Sequence, residues 1–274
     1  MTASTGIRFG ASLGHWSASD VTAKLTEMAQ VVDAATVFPY PFNMPVSRQT
    51  VRDVRRASRD LGLLLLVHGP IWELYTASIH SQIHSNGVEM VKRAVDFAVE
   101  IDAIHITLHP GPKRWPDVWP QLERQALDAQ MRAFIEIGEY ADQAGIQVGI
   151  ENMLPGEDCL TGYDDLSEIF RALDCQPNLG VTLDVGHLEI LKQSSARFIQ
   201  RLGKRLNHLH IHDNHGEWDE HLPVGEGVIA WEPLCRALLK ANYRGVLEIE
   251  RSLPDGGVES SIARLRGYLG MEGP

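Results

Sequence analysis

Histidines and carboxylates recur at the ends of short apolar runs in this chain. Six of these runs read LLLLVHGP, AIHITLHPGP, VGIENM, GVTLDVGH, LNHLHIHDN and GVLEIER. Each run is typical of a buried strand, and each ends near side chains that can bind a metal ion. Those side chains are His68, His109, Glu151, Asp184, His187, His210 and Glu250. Because helical stretches separate the runs, they predict one polar site at one end of a parallel sheet.

A further segment, DEHLPVGEG, adds Asp219 and His221 to these candidates. Burying carboxylates without partners is costly. Glu151, Asp184 and Glu250 would converge at the mouth, so they need compensating positive charge. A divalent cation would supply that charge. Imidazole and carboxylate together favour Zn²⁺, Mn²⁺, Fe²⁺ or Co²⁺ over Mg²⁺ or Ca²⁺. We therefore expect a site that holds a divalent metal ion.

Alternation along a strand separates residues at the mouth from deeper ones. His208, His210 and His212 share one face of LNHLHIHD, and Glu248 and Glu250 share one face of GVLEIER. Glu250 is nearer the carboxyl end, whereas Glu248 is roughly 6–7 Å deeper, given the rise of a strand. We therefore predict Glu250 as a site residue and place Glu248 in a buried hydrogen-bonded network.

Loops after three of the predicted strands carry residues that could line a substrate pocket. They are His15, Trp16, Trp72, Arg114 and Trp115. The tryptophans after the third and fourth strands could stack on a sugar ring, and Arg114 could hold a phosphate. Packing within the loops and an exposed charged loop are the alternative interpretations.

Strand and helix patterns alternate along the whole chain. Eight of each predict an α/β fold, a closed (β/α)8 TIM barrel, in a single domain over residues 1–274. The helices include one capped by Ser47 that runs to Asp60, one over 164–173 and one over about 188–202. An open doubly wound sheet is the alternative. It needs a G-x-G-x-x-G loop after the first strand, which GASLGHWS does not match.

The composition of the chain limits the kinds of binding partner and location that we expect. Its 274 residues are 44% hydrophobic, and its formal net charge of -11 counts against a nucleic-acid-binding surface. Its three cysteines form no CxxC pair, which fits a reducing, cytoplasmic location. No apolar stretch approaches the roughly 20 residues that span a bilayer, and MTASTGIRFG lacks a secretory signal pattern. We expect a small-molecule partner and no membrane or nucleic acid.

Taken together, the motifs resemble the xylose-isomerase-like TIM barrel superfamily over roughly residues 7 to 268. The motifs are HGP at His68, HPG at His109, EN at Glu151, DVGH ending at His187, HLHIHD from His208 and DEHLPVGEG from Asp219. This superfamily contains sugar and sugar-phosphate isomerases and epimerases, and also abasic-site nucleases of the endonuclease IV type. Homodimers are common among such barrels.

Similarity to the epimerase branch implies one metal ion held by Glu151, Asp184, His210 and Glu250. It also implies that the two glutamates act as an acid/base pair on opposite faces of the substrate carbon, and that His187 contacts the substrate. This chemistry is reasonable, because a carboxylate on each face can remove and return a proton beside a carbonyl. We expect a metal-dependent isomerase or epimerase of a sugar or sugar phosphate.

The nuclease branch implies a different use of the same residues, as nine ligands of three metal ions. All nine positions are filled, by His68, His109, Glu151, Asp184, His187, His210, Asp219, His221 and Glu250. The surrounding residues depart from the nuclease pattern, for example at Trp72, at Val185 and at His212. A multi-metal phosphodiesterase is thus the second hypothesis. A barrel that binds a sugar or a metal without catalysis is the third.

Overall fold

Eight parallel strands close into a barrel in chain order, which confirms the predicted TIM barrel fold. The computed structural model describes residues 6–39, 46–111, 120–154, 178–253 and 256–271. The strands are β1 (Arg8–Ser12), β2 (Ala34–Val37), β3 (Leu64–His68), β4 (His105–Leu108), β5 (Gln147–Glu151), β6 (Leu179–Asp184), β7 (Leu206–Ile211) and β8 (Val246–Ser252). β8 pairs with β1 and so removes both edges of the sheet.

Helices cover the outside of the barrel. Within the described ranges they are α1 (Val21–Met28), α2 (Arg48–Leu61), α3 (Ser81–Glu100), α4 (Pro120–Ala144), α5 (Val185–Ile190), α6 (Ser195–Leu202), α7 (Trp231–Lys240) and α8 (Gly257–Leu269). None of these described helices has both the length and the apolar character that crossing a membrane requires. The helix predicted over 164–173 lies outside the described residues.

Local sequence signals explain where α2 begins and ends. Ser47 caps the helix as predicted, since its side chain accepts a hydrogen bond from the Thr50 backbone N–H at 3.1 Å. Gly62 ends it with a left-handed φ of 67°. The predicted end at Asp60 is one residue short of Leu61.

The single helix predicted over 188–202 is wrong, because the structure has two helices there. Asp184 is the last residue of β6 and also the N-cap of α5, and its carboxylate accepts the His187 backbone N–H at 2.7 Å. The chain then leaves helical geometry at Lys192, whose φ is 54°. Ser194 then caps a second helix, α6.

The barrel interior below the mouth is a hydrogen-bonded polar layer. The hydroxyls of Thr107 and Thr182 are 3.0 Å apart, and His105 Nε2 lies 3.3 Å from each of them. On the other side of the layer, His208 Nε2 lies 2.8 Å from Glu248 Oε2. The prediction that Glu248 belongs to a buried network is therefore confirmed.

Candidate active site

Glu151, the last residue of β5, lies at the centre of the polar cluster in the barrel mouth. Its Oε2 atom is 3.6 Å from His68 Nε2 and 3.2 Å from His109 Nε2. Its Oε1 atom is 3.0 Å from His210 Nδ1. Because β3, β4 and β7 end at this mouth, histidines far apart in sequence meet around one buried carboxylate.

The three carboxylates of the predicted metal quartet converge on Nδ1 of its fourth member, His210. Glu151 Oε1 and Glu250 Oε1 each lie 3.0 Å from that nitrogen, and Asp184 Oδ2 lies 4.0 Å from it. Asp184 and His210 are fully buried, whereas the Glu250 side chain is 15% exposed toward the mouth. The structure thus brings together three carboxylates and one imidazole, as the sequence predicted.

Asp219, in the loop after β7, gathers a second set of imidazoles. Its Oδ2 atom lies 3.4 Å from His187 Nε2 and 3.1 Å from His221 Nε2. His221 Nδ1 is 3.7 Å from Glu250 Oε2, which joins this set to the first. His187, Asp219 and His221, predicted as further ligands, therefore meet beside the quartet.

Sequence reasoning missed His212 as a site residue. Its Nε2 atom lies 3.2 Å from both oxygens of Asp184 and 3.4 Å from Asp219 Oδ1. Its ring is stacked on that of His221, with centroids 4.2 Å apart and an interplanar angle of 8°. The signal was present, because His212 shares a strand face with His210.

Asn152 was also missed, and it fixes the backbone around Asp184. Its side chain accepts the Asp184 N–H at 2.9 Å and donates to the Asp184 carbonyl at 3.1 Å. Its own carbonyl oxygen lies 2.7 Å from His187 Nδ1. An Nδ1–H on His187 would donate to that carbonyl and leave Nε2 facing Asp219. Histidines that bind metals are commonly oriented by such a carbonyl behind the ring.

Carboxylates and imidazoles in the cluster shift one another's pKa. Burial raises the pKa of Glu151, but His210 and His109 lower it more, so it falls well below its ordinary value. Burial lowers the pKa of His210, but Glu250 and Glu151 raise it well above its ordinary value. These shifts favour protonated imidazoles beside ionised carboxylates. A divalent cation would displace those protons on binding.

The donor set fits a divalent cation of the zinc, manganese, iron or cobalt class. Imidazole nitrogens and carboxylate oxygens alternate around the mouth, and both kinds of ligand suit these ions. Glu151 Oε2 is buried and accepts no well-directed hydrogen bond from the described residues, although two imidazoles lie near it. A buried carboxylate oxygen in this state is costly unless a cation or another donor reaches it.

The cluster opens into a cavity of about 280 Å³. Phe38, Ile71 and Met153 form its apolar wall, and the Phe38 ring is stacked on His68 with centroids 4.8 Å apart. The described wall contains no lysine or arginine. Apolar contacts on one side and a polar cluster on the other suit a small polar molecule with an apolar face, such as a sugar ring.

Of the loop residues predicted to line the pocket, the three that the structure describes lie outside the cavity wall. His15 is exposed and Trp72 is 61% exposed, and neither lies in the described wall of the cavity. Trp16 is buried behind that wall, and its indole N–H donates to the Phe38 carbonyl at 3.2 Å. Trp115 and Arg114 lie outside the described residues.

The chain belongs to the xylose isomerase-like TIM barrel family, which residues 26–268 match. This match confirms the resemblance inferred from the motifs. It covers the strands from β2 onward and every predicted member of the quartet.

Relatives of known sequence and structure agree with this assignment. An uncharacterized protein of Methanocaldococcus jannaschii is 35% identical over 210 residues, 75% of this chain and 70% of that protein. The fructoselysine 3-epimerase of Escherichia coli O157:H7 is 27% identical over 220 residues, 77% of each chain. The crystal structure of a D-tagatose 3-epimerase-like protein superposes with a TM-score of 0.84 and 29% identity, covering 96% of this chain and 97% of that one.

Proposed function

We propose that this protein is a divalent-cation-dependent epimerase or isomerase of a small ketose. One observation carries the proposal: Glu151 and Glu250, from β5 and β8, both lie 3.0 Å from the same nitrogen of buried His210. Together with Asp184 they would form a four-residue cation site, of which Glu151 and Glu250 line the cavity. Relatives named as 3-epimerases of fructoselysine and psicose support this class of reaction.

Glu151 and Glu250 would carry out proton transfer. Each glutamate turns Oε1 toward His210. Its Oε2 atom contacts other imidazoles, those of His68 and His109 for Glu151 and those of His212 and His221 for Glu250. When bound, the cation would supply Lewis acidity that acidifies the C–H beside the sugar carbonyl. One glutamate would then take the proton from that carbon, and the other would return a proton to the opposite face, which inverts the configuration.

An uncharged sugar fits the described cavity better than a phosphate ester. The wall is rich in carboxylates, and its described part has no lysine or arginine to neutralise a phosphate. Its volume of about 280 Å³ is at the small end for ligand pockets. Phe38 would contact the apolar face of the ring, and His187 and Asp219 would bind hydroxyl groups.

Exchange of hydrogen with solvent tests the mechanism directly. The protein is loaded with Mn²⁺ or Co²⁺ and incubated in D₂O with ketoses such as D-tagatose and D-psicose. We expect NMR to show deuterium at the carbon next to the carbonyl, together with the epimer. Glu151→Gln and Glu250→Gln should each lower the rate by about 100-fold or more, with unchanged circular dichroism.

Glu217→Gln is the matched control, since Glu217 is an exposed carboxylate in the loop after β7. It should retain the wild-type rate. Full activity in Glu250→Gln would remove the proposed mechanism. Wild-type protein that binds the cation and exchanges no hydrogen on any ketose would instead favour a binding protein.

A multi-metal phosphodiesterase is the second candidate, because Asp219 lies within 3.4 Å of both His187 and His221 beside the quartet. That arrangement could hold an additional cation, and clustered cations suit phosphodiester hydrolysis. Metal content per chain discriminates between the candidates. One ion per chain favours the ketose reaction, whereas two or three ions with chelator-sensitive cleavage of abasic duplex DNA favour the phosphodiesterase.

A further inference from the structure

A buried carboxylate lies directly beneath the proposed cation site, where the proposed reaction does not use it. Glu248 is 1% exposed, and it is the register partner of His210 across β7 and β8. Neighbouring strands in register place paired side chains side by side. Glu248 Oε2 lies 2.8 Å from His208 Nε2 and 3.8 Å from His210 Nε2.

Buried atoms of both groups lack hydrogen-bond partners among the described residues. They are His210 Nε2 and Glu248 Oε1, and the hydroxyl of Thr36, which interacts with Glu248, is a third. Buried polar atoms in this state are rare and call for an explanation. The two groups are complementary, because a ring N–H donates and a carboxylate accepts. A ring N–H at His210 Nε2 would face this carboxylate, whose Oε2 atom lies 3.8 Å away and is shared with His208.

Cation binding at Nδ1 of His210 would place the ring proton on Nε2. Nδ1 faces Glu151 and Glu250, so a cation held by these carboxylates needs the lone pair of Nδ1. A neutral imidazole that uses Nδ1 as a ligand must carry its proton on Nε2. In a dry interior that N–H needs an acceptor, and Glu248 Oε2 is beside it.

We propose that Glu248, held in place by His208, is a positioning residue that accepts the Nε2–H of His210 and so presents Nδ1 to the cation. This inference rests on the proposed cation site. His208 anchors the carboxylate through its own Nε2 at 2.8 Å. The arrangement is that of a histidine ligand oriented by a carboxylate behind it, which tunes metal affinity in general.

Affinity for Co²⁺, measured by competition with a coloured chelator, tests this role without an activity assay. Glu248→Gln keeps the shape of the side chain but cannot accept from both histidines at full strength. We expect it to bind Co²⁺ about 10- to 100-fold more weakly than wild type, with a changed visible spectrum of the bound Co²⁺. Thr182→Val is the control, because Thr182 precedes Asp184 by two residues as Glu248 precedes Glu250. It should stay within about twofold of wild type.

The inference would be overturned if both variants lost thermal stability while Glu248→Gln kept its Co²⁺ affinity. Glu248 and His208 would then contribute only to stability. If Glu248→Gln does not fold, ¹⁵N NMR of zinc-loaded wild type decides. We expect His210 to carry its proton on Nε2, with Nδ1 shifted by the metal. A proton on Nδ1 would overturn the inference alone. Wild type that binds neither Co²⁺ nor Zn²⁺ would overturn the proposed function and this inference together.

Discussion

The Nε2 atom of His212 lies 3.2 Å from both carboxylate oxygens of Asp184. Asp184 is fully buried, so its oxygens depend on protein donors instead of water. The His187 backbone N–H supplies another donor, at 2.7 Å. Because His212 also lies 3.4 Å from Asp219 Oδ1, it connects the carboxylate of β6 to the loop that closes the site.

Replacement of His212 by glutamine should weaken cation binding. The glutamine amide is flexible and lacks the ring that is stacked on His221, so the carboxylate of Asp184 loses a fixed partner. We expect affinity for Co²⁺ to fall by about tenfold or more, as for other losses of a group that orients a ligand. Competition with a chelator measures it.

His215→Gln is the control for that variant, since His215 lies in the same loop with its side chain 59% exposed and paired with Glu220. Its Co²⁺ affinity should match the wild type. Wild-type affinity in His212→Gln would show that Asp184 does not need the imidazole.

Gly186→Ala should displace the imidazole of His212. A Cβ atom built on Gly186 would lie 1.9 Å from His212 Cε1, and the backbone of α5 accepts alanine otherwise. The ring or the helix must therefore move, at a cost of about 1–3 kcal/mol in stability. Urea unfolding should show this loss, and Co²⁺ binding should weaken with it.

Gly267→Ala provides the comparison, because a Cβ there meets nothing within 4 Å and the residue lies inside α8. Alanine should leave stability unchanged or raise it by up to about 1 kcal/mol. Equal stability of Gly186→Ala and wild type would mean that His212 has room to move.

Much of the site could be predicted from the sequence because its residues end strands. Alternation fixes which side chains face the barrel axis, and parallel strands end at one mouth. That reasoning placed Glu151, His210 and Glu250 together and Glu248 one layer below. The proximity of these groups follows from the closed barrel alone.

Three features differ from the sequence predictions for physical reasons: the role of His212, the start of α5 and the positions of two loop residues. His212 carries the alternation of β7 one residue past its last residue, Ile211, so the strand pattern alone did not show that its side chain reaches Asp184 and Asp219. Asp184 ends a strand and caps a helix at once, so the start of α5 was hidden inside a strand motif. His15 and Trp72 lie in loops, whose paths depend on packing that local sequence does not encode.

Cys235 should resist thiol reagents in the folded protein. Burial raises the pKa of its thiol to about 12, so at pH 8 only about one molecule in 10,000 carries the reactive thiolate. We expect iodoacetamide to modify Cys235 only after unfolding, as read by mass spectrometry of its peptide. Rapid labelling of this residue in folded protein, at the rate found in denaturant, would contradict the buried position in α7.

Asp213 should control the loop that carries Asp219 and His221. Its carboxylate accepts hydrogen bonds from three backbone N–H groups, at residues 214, 225 and 229, and from the indole of Trp231 at 2.8 Å. Asp213→Asn turns one acceptor into a donor and leaves buried donors unpaired, each at about 1–3 kcal/mol. We expect lower stability in urea and faster amide hydrogen exchange over residues 214–229. Glu232→Gln, on the exposed face of α7, should change neither. Unchanged exchange in Asp213→Asn would show that the loop holds its shape without this carboxylate.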